Sequence, residues 1–110
     1  MTLTGRIYIM NVPFVDEQGK SKVRPILIWK HGNKTFFFKI TSKFINKSDA
    51  IRSNYFPIMD WKSANLKKPS FVDLNNKFDI VDYADIPVKY CGELSTQDLI
   101  NLRKHLNSKY

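Results

Sequence analysis

The chain has 110 residues, a length for one domain (1–110) built around a single core. Its composition, 43% hydrophobic and 25% charged, excludes global disorder, and its net charge of +8 makes a polyanion a plausible partner. The single cysteine, Cys91, excludes an internal disulfide and fits a cytosolic protein.

Elements follow in chain order. Gly5 to Val12 is rich in β-branched and aromatic residues (Ile7, Tyr8, Ile9, Val12) and predicts a first strand, ended by Pro13. A polar loop with a glycine, Asp16 to Lys22, precedes a second strand over Val23 to Lys30. Within it, Arg24 stands before Pro25, whose ring holds the preceding residue extended. The apolar run Ile26-Leu27-Ile28-Trp29 that follows has the length of a buried strand. His31 to Lys34 reads as a tight turn into a third strand, Thr35 to Ile40, which completes a hairpin. Phe36, Phe37 and Phe38 are expected to pack on both faces of that strand.

Beyond it, Thr41 to Asn54 is polar, with a short helix expected around Ser48 to Ser53. Tyr55 to Ile58 is extended, and Asp60 is expected to cap one helical turn through Leu66. Ser70–Leu74 and Phe78–Val81 read as two strands joined across Asn75-Asn76-Lys77, with a last short strand over Val88 to Cys91. Ser95 and Asp98 form a variant of the capping box at the start of a terminal helix. Leu94 and Leu99 stand at staple positions, and Leu99, Leu102 and Leu106 share one face. Several short strands and one terminal helix predict a mainly β (α+β) domain, a small, strongly curved sheet or partly open barrel.

The charge is uneven. Residues 20–68 hold twelve Lys or Arg and two acids, a net +10, while the remainder of the chain carries −2. A nucleic acid or an acidic protein segment suits such a surface. Met1 to Arg6 lacks the basic-then-apolar pattern of a signal peptide, and no apolar run approaches the roughly 20 residues of a membrane span. Cys91, His31 and His105 are too far apart in sequence for a zinc motif, and neither GxGxxG nor GxxxxGK[ST] occurs. Asp79, Asp82 and Asp85 alternate with apolar residues and read as an outward face. The expected chemistry therefore uses no metal, cofactor or thiolate.

Cleavage of RNA through its own 2′-hydroxyl meets that restriction, because the nucleophile belongs to the substrate. The protein needs to align it, stabilise charge on the phosphate and assist proton transfer. Arg24 supplies a permanent charge in a planar fork of donors. Lys39-Ile40-Thr41-Ser42 supplies hydroxyls at the far end of the third strand, and an antiparallel hairpin sets the start of one strand beside the end of the other.

In these features the chain resembles the MazF/PemK-type toxins of toxin–antitoxin modules. The resemblance rests on Gly5-Arg6-Ile7-Tyr8-Ile9, the loop from Phe14 to Lys22, Val23-Arg24-Pro25-Ile26-Leu27-Ile28 and Lys39-Ile40-Thr41-Ser42. The stretch from Asp60 to Val72 and Gly92-Glu93-Leu94-Ser95 continue it in the same order. It implies a small SH3-like barrel, a homodimer and metal-independent, sequence-specific cleavage of single-stranded RNA, with an acidic antitoxin as protein partner and no membrane. Arg24 would stabilise the transition-state phosphate and take part in proton transfer, and Thr41 would orient the scissile phosphate. Phe14, Lys20 and Lys22 would hold bases or backbone, with Ser42 and Ser70 as further RNA contacts. Three departures accompany the resemblance. Arg6 stands where the family usually has an acid, Thr41-Ser42 where it usually has two threonines, and residues 43–54 match no motif. Two other readings remain open: a non-catalytic SH3-like module binding nucleic acid or an acidic segment, and a toxin-fold inhibitor of a host protein.

Overall fold

The apolar run after Arg24 alternates between two buried faces, and the architecture follows from it. The computed structural model describes residues 4–12, 22–42 and 54–109. Six strands form one antiparallel sheet: β1 (Arg6–Val12), β2 (Lys22–His31), β3 (Lys34–Thr41), β4 (Tyr55–Ile58), β5 (Ser70–Asp79) and β6 (Val88–Glu93). Their order is β4-β5-β3-β2-β1-β6, so the sheet is open, with β4 and β6 at its edges. A 3-10 helix (Ile80–Tyr83) precedes β6, and helix α1 (Thr96–Lys109) ends the described chain. No helix among the described residues is long and apolar enough to cross a membrane. The expected loop over 16–21 and the helix expected over 48–53 lie outside the described residues.

On one face, Leu27 and Trp29 of β2 join Ile7, Phe38, Ile40 and Val72 in a core closed by Leu102 and Leu106 of α1. On the other, Ile26 and Ile28 join Met10 and Phe37 under Phe78, Ile80, Tyr83 and Ile86. Phe37 stacks on Phe78 at 5.2 Å and meets Tyr83 edge-on at 5.2 Å. A strand buried on both faces needs an unbroken apolar run, and each fully buried side chain of this size contributes about 1.5–3 kcal/mol. The β2–β3 loop is Gly32-Asn33, and Gly32 takes a φ of 62°, which its missing Cβ allows without strain.

Two expected elements differ. Ser70–Leu74 and Phe78–Val81 are not two strands: β5 continues through Asp79, with its register against β3 shifting between Phe37 and Lys39. Asn75 holds the irregularity, donating its backbone N–H (3.0 Å) and its side-chain amide (2.8 Å) to Asp73 Oδ1. Asn54 in turn donates to Asn75 Oδ1 at 3.0 Å, so the strand bends there rather than ending. The segment beyond Asp79 turns into the 3-10 helix because the Asp79 carboxylate accepts from Val81 N–H at 3.1 Å.

The start of α1 matches the expected cap and adds a tertiary role. Asp98 N–H donates to Ser95 Oγ at 3.1 Å, and Leu94 and Leu99 join the helix-side core. The Asp98 carboxylate, fully buried, instead accepts from the backbone N–H groups of Met59 (3.1 Å) and Asp60 (2.8 Å). Asp60 does not serve as the expected cap: its carboxylate accepts from the Ser95 hydroxyl at 2.6 Å, and residues 61–65 form turns. Those turns press on β6 so closely that a Cβ on Gly92 would collide with the Ala64 carbonyl oxygen. Asp98→Ala would strand two backbone donors and is expected to lower stability by about 2–4 kcal/mol, against about 1 kcal/mol for Ser95→Ala. Urea denaturation of the two variants measures the difference, and equal losses would contradict a bridging role for Asp98.

Candidate functional site

Pairing between β2 and β3 runs from His31 opposite Lys34 to Ile26 opposite Lys39. The pairing ends there, and Arg24 and Thr41 each lie two residues beyond it on their own strand. On its other side Arg24 pairs with Met10, and Thr41 pairs with Phe71. Both residues are part-buried, at one end of the sheet face that lies away from α1. The aromatic cover of that face lies around Phe37, and at the Arg24 end Lys39 and Thr41 add polar groups beside the buried Met10 of the same cluster.

Beside Arg24 runs a row of paired residues that crosses the sheet: Ile26, Lys39, Asp73 and Tyr55. Asp73 is 6% exposed and sits at the centre of a donor set. Lys39 Nζ lies 3.7 Å from its Oδ2, and the Tyr55 hydroxyl donates to the same oxygen at 3.4 Å. Asn75 fills the other oxygen through the two bonds described above. Burial, followed by the charge and hydrogen bond of Asp73, raises the Tyr55 hydroxyl above its usual 10.0, while the positive charge of Arg24 acts in the opposite direction. Arg24 is thus in electrostatic range of Tyr55, although β3 and β5 separate their strands.

The charges of this cluster do not cancel. Lys39 balances Asp73, and among the described residues the Arg24 guanidinium has no hydrogen-bond or ion-pair partner. A half-buried cation of this kind is a better anion site than a fully solvated one. At an effective dielectric of about 20 a unit charge 4 Å away contributes about 4 kcal/mol, against about 1 kcal/mol in bulk water. Imidazole and thiol groups lie elsewhere among the described residues. His31 is at the hairpin turn, His105 packs near Phe56 on the helix side, and Cys91 contacts the helix-side core, where burial raises its thiol. The described part of the Arg24 face therefore offers cations and hydroxyls but no side-chain nucleophile of those types.

The other sequence-predicted residues divide. Lys22 opens β2 opposite Val12, two positions before Arg24. Ser42 is exposed in a bend immediately after β3. Ser70 stands apart: it is 7% exposed and its hydroxyl donates to the Lys68 carbonyl at 2.8 Å. Phe14 and Lys20 lie outside the described residues. Lys39, Asp73 and Tyr55 did not emerge as candidates from the sequence. A signal for one of them was present: Asp73 interrupts the apolar run Phe71-Val72-Asp73-Leu74, where a buried carboxylate demands donors from neighbouring strands.

No family model matches the chain, and no curated protein matches it either.

The raised Tyr55 hydroxyl has a stability consequence with a definite sign. The folded chain holds this proton more tightly than the unfolded chain, so the contribution is complete below pH 10.0 and is lost as pH climbs through the higher folded value. Tyr55→Phe should flatten the alkaline fall of the denaturation midpoint, and tyrosinate absorbance should show one late-ionising tyrosine missing from the variant. An unchanged alkaline profile would contradict the coupling to Asp73.

Proposed function

We propose that the chain is a metal-independent endoribonuclease of the MazF/PemK toxin type, an SH3-like fold acting as a homodimer on single-stranded RNA and neutralised by an acidic antitoxin. The observation that carries this reading is the β2–β3 register, which supports Arg24 and Thr41 as neighbours on one polar sheet end. In the reaction the substrate's 2′-oxygen attacks the adjacent phosphorus and the P–O5′ bond breaks, leaving a 2′,3′-cyclic phosphate and a 5′-hydroxyl. The 2′-oxygen loses its proton, and the departing 5′-oxygen gains one. Arg24 is suited to the charge that grows on the non-bridging oxygens, through a fork matching the planar pair it must hold. Thr41 is suited to donating one hydrogen bond that fixes the phosphate in line. The excess of Lys and Arg over residues 20–68 supports a polyanion on the same surface.

The partly exposed Arg24, without an ion pair among the described residues, also serves a simpler reading, a module that binds RNA without cutting it. Cleavage of a long single-stranded RNA in EDTA separates the two. Arg24→Ala is expected to slow cleavage by about 100- to 1,000-fold, and Thr41→Val by about fivefold, the loss of one neutral hydrogen bond, with both variants still folded. Intact RNA with salt-sensitive binding would favour the module, and activity that disappears in EDTA would overturn the metal-free proposal.

A further inference from the structure

We infer that Lys39 is a second phosphate-binding cation of this site and that Asp73 is the residue that positions it. The inference rests on the RNA reading above. Lys39 and Thr41 are two apart on β3 and so project to the same face. Lys39 is also opposite Ile26, the residue two beyond Arg24 on β2, which puts the two cations on diagonal positions of neighbouring strands. Arg24, Thr41 and Lys39 thus form three corners of one small patch.

A lysine at such a place loses much rotamer freedom if it is to contact a phosphate in one geometry. Asp73 removes part of that cost in advance. Its carboxylate accepts two bonds from Asn75 on Oδ1 and one from Tyr55 on Oδ2, and the Lys39 ammonium rests 3.7 Å from Oδ2. At 3.7 Å the pair is an electrostatic tether rather than a short hydrogen bond. The Lys39 side chain is 21% exposed, against 8% for Asp73, so the cation faces outward and the anion is underneath. An approaching phosphodiester meets the lysine first. The two adjacent positive groups then suit two successive phosphates or the two non-bridging oxygens of one.

A purely structural ion pair makes a different prediction from a phosphate-binding one. Lys39→Met with Asp73→Asn removes both charges, leaves the net charge at +8 and avoids a buried unpaired carboxylate. The probe is a single-stranded RNA carrying 2′-O-methyl groups throughout, which cannot be cut through its 2′-oxygen. Plotted as log affinity against log salt, its binding should lose about 0.7 from the slope in the double variant, the share of one single-strand phosphate contact. Affinity should fall at least about fivefold, and Lys39→Arg should keep the wild-type slope. Asp73→Asn alone raises the net charge, so long-range attraction predicts tighter binding, whereas loss of positioning predicts weaker binding. Circular dichroism confirms folding in each case. An unchanged slope in the folded double variant overturns the phosphate contact, and tighter binding by Asp73→Asn overturns the positioning role. If the wild-type chain still cuts ordinary RNA in those cases, only this inference falls. If it binds no RNA, both fall. If it binds without cutting and the slope drops as stated, the phosphate contact stands and the cleavage reading falls.

Discussion

Strand β2 is buried on both faces, and that constraint governs the rest of the molecule. Leu27 and Trp29 face the helix-side core while Ile26 and Ile28 face the core around Phe37, all at 8% exposure or less. A slip of one residue against β3 would exchange the two faces and turn Lys39 towards the apolar helix-side core. The apolar cost of the wrong register is thus what fixes the polar end. Arg24 and Thr41 continue the two strands beyond that pairing, and the buried side chains further along fix the register from which they extend.

That dependence explains what the sequence made legible. The hairpin, the two-sided packing of Phe37 and Phe38 and the capped terminal helix are written in local patterns: an apolar run, a glycine in a two-residue loop, a serine three residues before an aspartate. The proximity of Arg24 to Thr41 could be argued from hairpin geometry alone. By contrast, Asp98 reaching Met59 and Asp60, nearly forty positions away in the chain, has no local signature, because its partners are backbone groups. The same holds for β5. Asn75-Asn76-Lys77 has the composition of a turn, and bonds from Asn75 to Asp73, from Asn54 to Asn75 and from Leu74 to the Asn54 carbonyl accompany the strand through it. Propensity marked a break, and tertiary hydrogen bonds turned it into a bend.

The bend matters to the site. With the register shift between Phe37 and Lys39, β5 can place Phe78 over Phe37 in the apolar half of the face and still set Asp73 opposite Lys39 in the polar half. Without the shift, Lys39, two residues after Phe78's partner Phe37, would pair with Asn76, and no carboxylate would meet the lysine. The irregularity is therefore the joint between a hydrophobic half of the sheet face and a charged one. Its own stabilising bonds end on the carboxylate that the charged half needs.

The resulting charge pattern has a direction. Going across the sheet from β2 to β4, the polar end presents Arg24, then the Lys39–Asp73 pair, then the Tyr55 hydroxyl held on Asp73. The carboxylate is on the β4–β5 side and buried, while the guanidinium, without an ion pair among the described residues, is on the β2 side and partly open. On the proposed RNA reading, this arrangement would favour an anion on the β2 side over the β4 edge. A uniformly basic groove would bind a polyanion in many positions. A patch with one buried negative pole favours a single one, and in-line attack on a phosphate requires a single position. The carboxylate that sequence reasoning passed over thus gives the basic surface its orientation.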